Sequence, residues 1–122
     1  MHRFLILILL FVSTGAQADR PDPELLEKLR EAASAADSFE DRFDAEVWLA
    51  DMSSRLERQV KDHDERINLL MLVHREANRA GLPPELVLAV IDVESNFDRY
   101  AISVAGAIGL MQIMPFWLDE IG

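Results

Sequence analysis

A carboxylate next to a run of small residues is the part of this chain with the most chemical content. Glu94 stands in Glu94-Ser95-Asn96-Phe97, and the segment Ala107-Ile108-Gly109-Leu110-Met111-Gln112-Ile113-Met114-Pro115 follows shortly after. Read at about 100° per residue, a helix over 84–95 aims Glu94 into the arc of Val87, Val90 and Ile91 and leaves Glu85 and Asp92 on the opposite side. The expectation is a core-facing carboxyl. Hydration lost there is not easily recovered, so the protonated acid should persist near neutral pH. Donation of a proton to a leaving oxygen requires that property. The plainer alternative is a carboxylate in a last helical turn, paired with a Lys or Arg.

The residues after Glu94 define what else is available. An ordinary retaining or inverting glycosidase needs two carboxylates about 5 to 9.5 Å apart, whereas a substrate-assisted enzyme escapes that requirement. With Asp92 pointing away, Asp98, Asp119 and Glu120 remain as second groups, and Asp98, just past the helix end, suits a turn or cap. Ser103 to Gly109 reads SVAGAIG, where small side chains allow close approach of backbone or ligand; the alternative is a tight turn before a helix. No Lys-Ser or Lys-Thr follows the glycines, so it is not a phosphate loop. Leu110, Met111, Ile113 and Met114 read by themselves as core, with Met111 also able to face a ligand from a groove wall. Phe116-Trp117 reads as a buried anchor, with a stacking platform as the alternative.

From Glu94 to Pro115 the chain reads ESNFDRYAISVAGAIGLMQIMP, which resembles the signature of the lytic transglycosylases with a lysozyme-like (soluble lytic transglycosylase type) catalytic domain. The positions that carry the resemblance are Glu94, Ser95, Phe97, Ala101, Ser103, Gly106, Ala107, Gly109, Leu110, Met111, Gln112, Met114 and Pro115. The resemblance covers roughly the second half of the chain. It implies cleavage of peptidoglycan glycan strands between N-acetylmuramic acid and N-acetylglucosamine, the muramic acid's C6 hydroxyl attacking C1 to leave a 1,6-anhydro end. It implies Glu94 as sole catalytic acid and then base, Ser95 as the polar neighbour that orients it, and Ser103, Met111 and Gln112 as substrate-binding residues, with no cofactor and no metal. The family's later helices, with their Tyr and Asn across the groove, have no counterpart here. The expectation is therefore the N-terminal part of such a domain. Residues 19–122 alone should be helical but loosely packed and catalytically silent or nearly so, with Glu94 hydrated.

The elements that position this segment follow from periodicity, which is helical almost throughout. The expected fold is mainly α: a lysozyme-like helical domain over 63–122, incomplete at its C-terminus, preceded by a helical segment over 19–62. Asp22-Pro23 reads as N-cap and first-turn proline of a helix to about Ala36, with Leu25, Leu26, Leu29, Ala32 and Ala33 on one face. Ser38 is expected to cap a second helix to about Val60, with an apolar stripe of Phe39, Phe43, Val47, Trp48, Met52, Leu56 and Val60. Asp62-x-x-Glu65 reads as a capping box for a third helix that Gly81 ends, and Pro83-Pro84 opens the helix of Glu94.

Residues 1–18 combine His2 and Arg3, an apolar run from Phe4 to Val12 and the small-residue end Ala16-Gln17-Ala18. They read as a signal peptide cleaved after Ala18, because the apolar run is about half the length a bilayer span needs. A short uncleaved anchor is the alternative. No cysteine is present for a lipid-modified N-terminus or a disulfide. The expected location is the periplasm or another secreted position in the cell envelope, without a stable membrane anchor. Net charge is −10, from 22 acidic and 12 basic residues, which disfavours nucleic acid as a partner. His2, His63 and His74 form no close pair of the zinc-binding kind. Three classes stand: a lytic transglycosylase or its N-terminal portion, a hydrolytic lysozyme-like muramidase, and a non-catalytic envelope protein that binds glycan or another protein.

Overall fold

The computed structural model describes residue 20 and residues 22–121, so the expectations for residues 1–18 lie outside the described residues. Five helices follow in order: α1 (Pro23–Ala35), α2 (Arg42–Leu56), α3 (His63–Ala80), α4 (Pro84–Ser95) and α5 (Pro115–Ile121). The described residues are mainly helical, in keeping with a lysozyme-like helical domain, and among them isolated bridges join Ile102 to Ile108 and Ile108 to Ile113.

The helix starts are set by local hydrogen bonds. The Asp22 carboxylate accepts from Glu24 N at 3.0 Å and Pro23 occupies the first turn, where its missing N–H costs nothing. Asp62 Oδ1 accepts from Glu65 N at 2.8 Å to open α3, and Gly81, at φ 69°, closes it in the left-handed conformation that glycine adopts without strain. The start of α2 differs from expectation. Asp41 is its cap, accepting from Asp44 N at 2.9 Å, and the helix ends at Leu56 rather than Val60. Ser38 caps nothing; its hydroxyl is hydrogen-bonded to His74 Nδ1 at 2.8 Å.

The apolar face of α2 is also rotated from the expected stripe. Ala45, Leu49, Ser53 and Leu56 face the core, Trp48 and Met52 flank them, and Phe43 and Val47 stand 73% and 54% exposed. The later start removes Phe39 from the helix. The i, i+4 line through Ala45, Leu49 and Ser53 is then the buried face of α2, which packs on α1 and α3. A single cluster runs from Leu29 and Ala33 of α1 through Leu49 and Leu56 of α2 to Leu70 and Val73 of α3, then to Leu88 and Ile91 of α4 and to Phe97. The core is continuous across residues 61–64.

α4 rests on α3, and the chain then leaves the helical path at once. Asn96 (φ 49°) and Phe97 (φ 64°) are both left-handed, and Phe97 is 7% exposed. A bulky residue is unfavourable in that region, so burial of its ring in the common core is what holds the turn. Residues 98–114 form a compact loop rather than a helix or strand.

Candidate active site

α4 has two apolar anchors on α3, Leu88 and Ile91, and their line continues to Ser95, which is half-buried. Glu94 lies beside that line and is exposed, contrary to the core-facing expectation. Among the described helices α3 alone packs along α4, so the side of the arc that holds Glu94 meets water. The Glu94 carboxylate has no hydrogen bond and no ion pair among the described residues.

The loop after α4 is held by backbone groups and by two of the side chains assigned to substrate, Ser103 and Gln112. Ser103 Oγ accepts from Ala107 N at 2.9 Å, and Ser103 N donates to Ala107 O at 2.9 Å. Gly106, between them, has φ 92°, a conformation that glycine enters readily. Gln112 donates through Nε2 to Ala101 O at 3.1 Å and to Gly109 O at 2.9 Å, tying both ends of the loop. Its amide nitrogen thus faces inward. Ser95 donates to Ile91 O at 3.1 Å rather than to Glu94, so the orienting role expected of it is absent from this geometry. Asp98 accepts from Tyr100 N at 2.9 Å, the turn role anticipated for it.

Met111 sits where the loop returns to the helices. Together with Leu72, Leu82 and Val87 it lines an apolar hollow of about 340 Å³ between α3 and α4. Val87 and Glu94, seven residues apart, share a face of α4, and Glu94 is not among the residues that line the hollow. The core assignment holds for Leu110, which packs against the common cluster, but Met111 and Ile113 are 38% and 39% exposed. Phe116 and Trp117 are about half exposed, with ring centroids 5.5 Å apart, rather than forming a buried anchor. α5 has no buried residue among those described.

One group of residues had no signal in the sequence. Phe39 stacks on the His74 ring at a centroid distance of 3.6 Å, Trp48 meets the same ring edge-on at 4.9 Å, and Trp48 Nε1 donates to Glu85 Oε1 at 2.8 Å. Asn78 Nδ2 also donates to Ser38 O at 2.7 Å. The 38–48 region is thereby fastened to α3 and to the first turn of α4. Burial among these rings lowers the His74 pKa, and the nearby Glu85 carboxylate opposes part of that effect. The Trp48 hydrogen bond, followed by one from its own backbone, lowers the pKa of Glu85.

Comparison with known proteins falls on this same region. Residues 71–122 match the family model of the Transglycosylase SLT domain. Among curated proteins, it is similar to "Membrane-bound lytic murein transglycosylase C" of Actinobacillus pleuropneumoniae serotype 5b (strain L20). The two are 52% identical over 46 residues, 38% of this chain and 13% of that protein. Proteins of the same name match from Haemophilus ducreyi (strain 35000HP / ATCC 700724), 43% identical over 60 residues, and Haemophilus influenzae (strain PittEE), 48% identical over 46 residues. The Haemophilus ducreyi match covers 48% of this chain and 16% of that protein, and the Haemophilus influenzae match 38% and 13%. The chain therefore spans only a small part of the length of these relatives. No solved structure matches it.

Proposed function

We propose that this chain serves the cleavage of peptidoglycan glycan strands between N-acetylmuramic acid and N-acetylglucosamine by intramolecular transglycosylation, with Glu94 as acid and then base. The observation that supports it is the position of Glu94: an exposed carboxyl on the last turn of α4, inside the matched segment. Donation begins from the acid form, which a glycan lying over the carboxyl favours by excluding water. The proton passes to the glycosidic oxygen as the bond to C1 breaks. The C6 hydroxyl oxygen of the muramic acid then bonds to C1, and the Glu94 carboxylate takes the hydroxyl proton. The acid is regenerated and no water is consumed.

Met111 supplies an apolar wall to the sugar in this reading. Ser103 and Gln112 act on the substrate indirectly, by holding the loop that presents Met111. Residues 1–18 serve as an export signal and the site of action is the cell envelope; no helix among the described residues is long and apolar enough to cross a membrane. Purified sacculi incubated with the protein and with its Glu94→Gln variant provide the test. Release of 1,6-anhydro-muropeptides by the native protein and not by the variant is expected. Reducing muramic acid ends instead would identify a hydrolytic muramidase. A second reading, glycan binding without turnover, is favoured by the inward commitment of the Ser95 hydroxyl and the Gln112 amide nitrogen, and would give binding to sacculi with no released product.

A further inference from the structure

All the sulfur in this chain is thioether, in five methionines with no cysteine. A mild two-electron oxidant such as hydrogen peroxide therefore meets no thiolate that would consume it first. Met1 lies outside the described residues. Met52, Met71 and Met114 are half-buried, the first two against the common core, whereas Met111 is 38% exposed. Met111 thus offers its sulfur to a dissolved oxidant while the core methionines are shielded.

The same side chain rests the loop on the helices. Leu110 and Met111 are the residues of the 98–114 loop that line the hollow of about 340 Å³ between α3 and α4. Leu110 packs on the common cluster, and Met111, the more exposed of the two, shares the hollow's wall with Leu72, Leu82 and Val87. The backbone on either side of Met111 is held by few bonds. Gly109 N donates to Ala101 O at 2.9 Å, and Ile108 and Ile113 exchange two bonds of 3.0 Å. Gln112, the next residue, has φ 51°, a region unfavourable for a side chain larger than glycine's. Burial of apolar side chains beside it offsets that cost, and Met111 contributes to the burial through a thioether.

We propose that Met111 is a reversible oxidation switch, whose sulfoxide loosens the 98–114 loop from the hollow between α3 and α4. Hydrogen peroxide transfers one oxygen atom to Met111 Sδ; the O–O bond breaks, the sulfur gives up two electrons and water leaves. The new oxygen is a hydrogen-bond acceptor facing Leu72, Leu82 and Val87, whose side chains have no donor, so it is satisfied only by turning to water. A dithiol reductant restores the thioether: it supplies two electrons and two protons, the oxygen leaves as water and the dithiol becomes a disulfide. The switch does not depend on the glycan reading; under that reading, it removes the apolar wall from the sugar.

The test treats the full chain with graded hydrogen peroxide, locates sulfoxide by peptide mass and follows amide exchange of Gly109 and Ile113. Sulfoxide is expected at Met111 at a lower dose than at Met52 and Met71. Exchange at the two loop amides should quicken about five- to tenfold, roughly what partial burial of a methionine is worth. The amide of Leu49 in α2 serves as the reference and should not change. A methionine sulfoxide reductase with dithiol should return the loop amides to their starting rates. Met111→Leu keeps an apolar body of similar volume and carries no sulfur, so peroxide should leave its loop exchange where it was before treatment. Met114→Leu should respond as the native protein does. Oxidation of Met52 or Met71 as early as Met111, unchanged loop exchange once Met111 is oxidised, or an equal peroxide response in Met111→Leu would each overturn the proposal.

Discussion

Trp48 Nε1 donates a 2.8 Å hydrogen bond to Glu85 Oε1, so a side chain of α2 holds the first turn of the helix whose last turn carries Glu94. Trp48→Phe keeps most of the ring and removes the donor. A hydrogen bond of this kind is worth about 1 kcal/mol net, more when the acceptor is charged and less when it is solvated as here. The variant should lose about that much in denaturant unfolding. Combined with Glu85→Ala, the two losses should be less than additive, since both remove one interaction.

His74 gives the stability a pH dependence of definite sign. Its folded-state pKa lies below the ordinary histidine value, so the unfolded chain binds the proton more readily. The stabilisation is complete above about pH 6.5, the unperturbed value, and is lost as pH falls from there through the folded-state value. The groups that face the ring are Ser38 and Phe39 from the loop, Trp48 from α2 and Glu85 from α4. Glu85, whose pKa is lowered, loses its own contribution only in the more acidic carboxylate range. Melting temperature recorded between pH 7.5 and 5.5 should fall in the native protein, and His74→Phe should flatten that slope.

The rotation of α2 is testable by paired substitutions. Leu49→Ala removes a fully buried side chain and should cost about 2 to 5 kcal/mol. Phe43→Ser alters a side chain that is mostly in water and should stay within about 0.5 kcal/mol of the native value. Chemical denaturation of the two variants distinguishes the observed face from the stripe expected from spacing, in which Phe43 belongs to the core.

Gly106 isolates backbone strain from packing. Nothing lies within 4 Å of a Cβ placed there, yet φ is 92°. Gly106→Ala should therefore destabilise the loop by about 1 kcal/mol through conformation alone. Amide exchange of Ala107, whose N–H is bonded to Ser103 Oγ, should quicken accordingly.

Glu94→Gln separates stability from chemistry. With no partner for the carboxylate among the described residues, its unfolding free energy should match the native protein within about 0.5 kcal/mol. Release of anhydro-muropeptides should fall by about 10²- to 10⁴-fold, the usual worth of a general acid. A fall in stability of similar weight would instead assign Glu94 a structural part.

Residues whose partners lie within one helical turn were legible in the sequence. Asp22, Asp62 and Gly81 mark helix ends because the cap hydrogen bonds they make or permit close within three or four residues, whatever the rest of the chain does. The motif from Glu94 to Pro115 was legible too, since the similarity to transglycosylase sequences lies in the order of residues. Tertiary contacts decided the remainder. Ser38 looks like a cap until His74, 36 residues away, is brought to its hydroxyl. Gln112 looks like a ligand group until loop closure offers it the carbonyls of Ala101 and Gly109. The phase of α2 depends on which side α1 and α3 approach, and the hydration of Glu94 on what packs along α4. Arg66 is a buried cation only because Ser53 and the carbonyls after α2 converge on it. Helical periodicity fixes angles within one helix, but burial is a property of the space between helices, and that space exists only in the assembled fold.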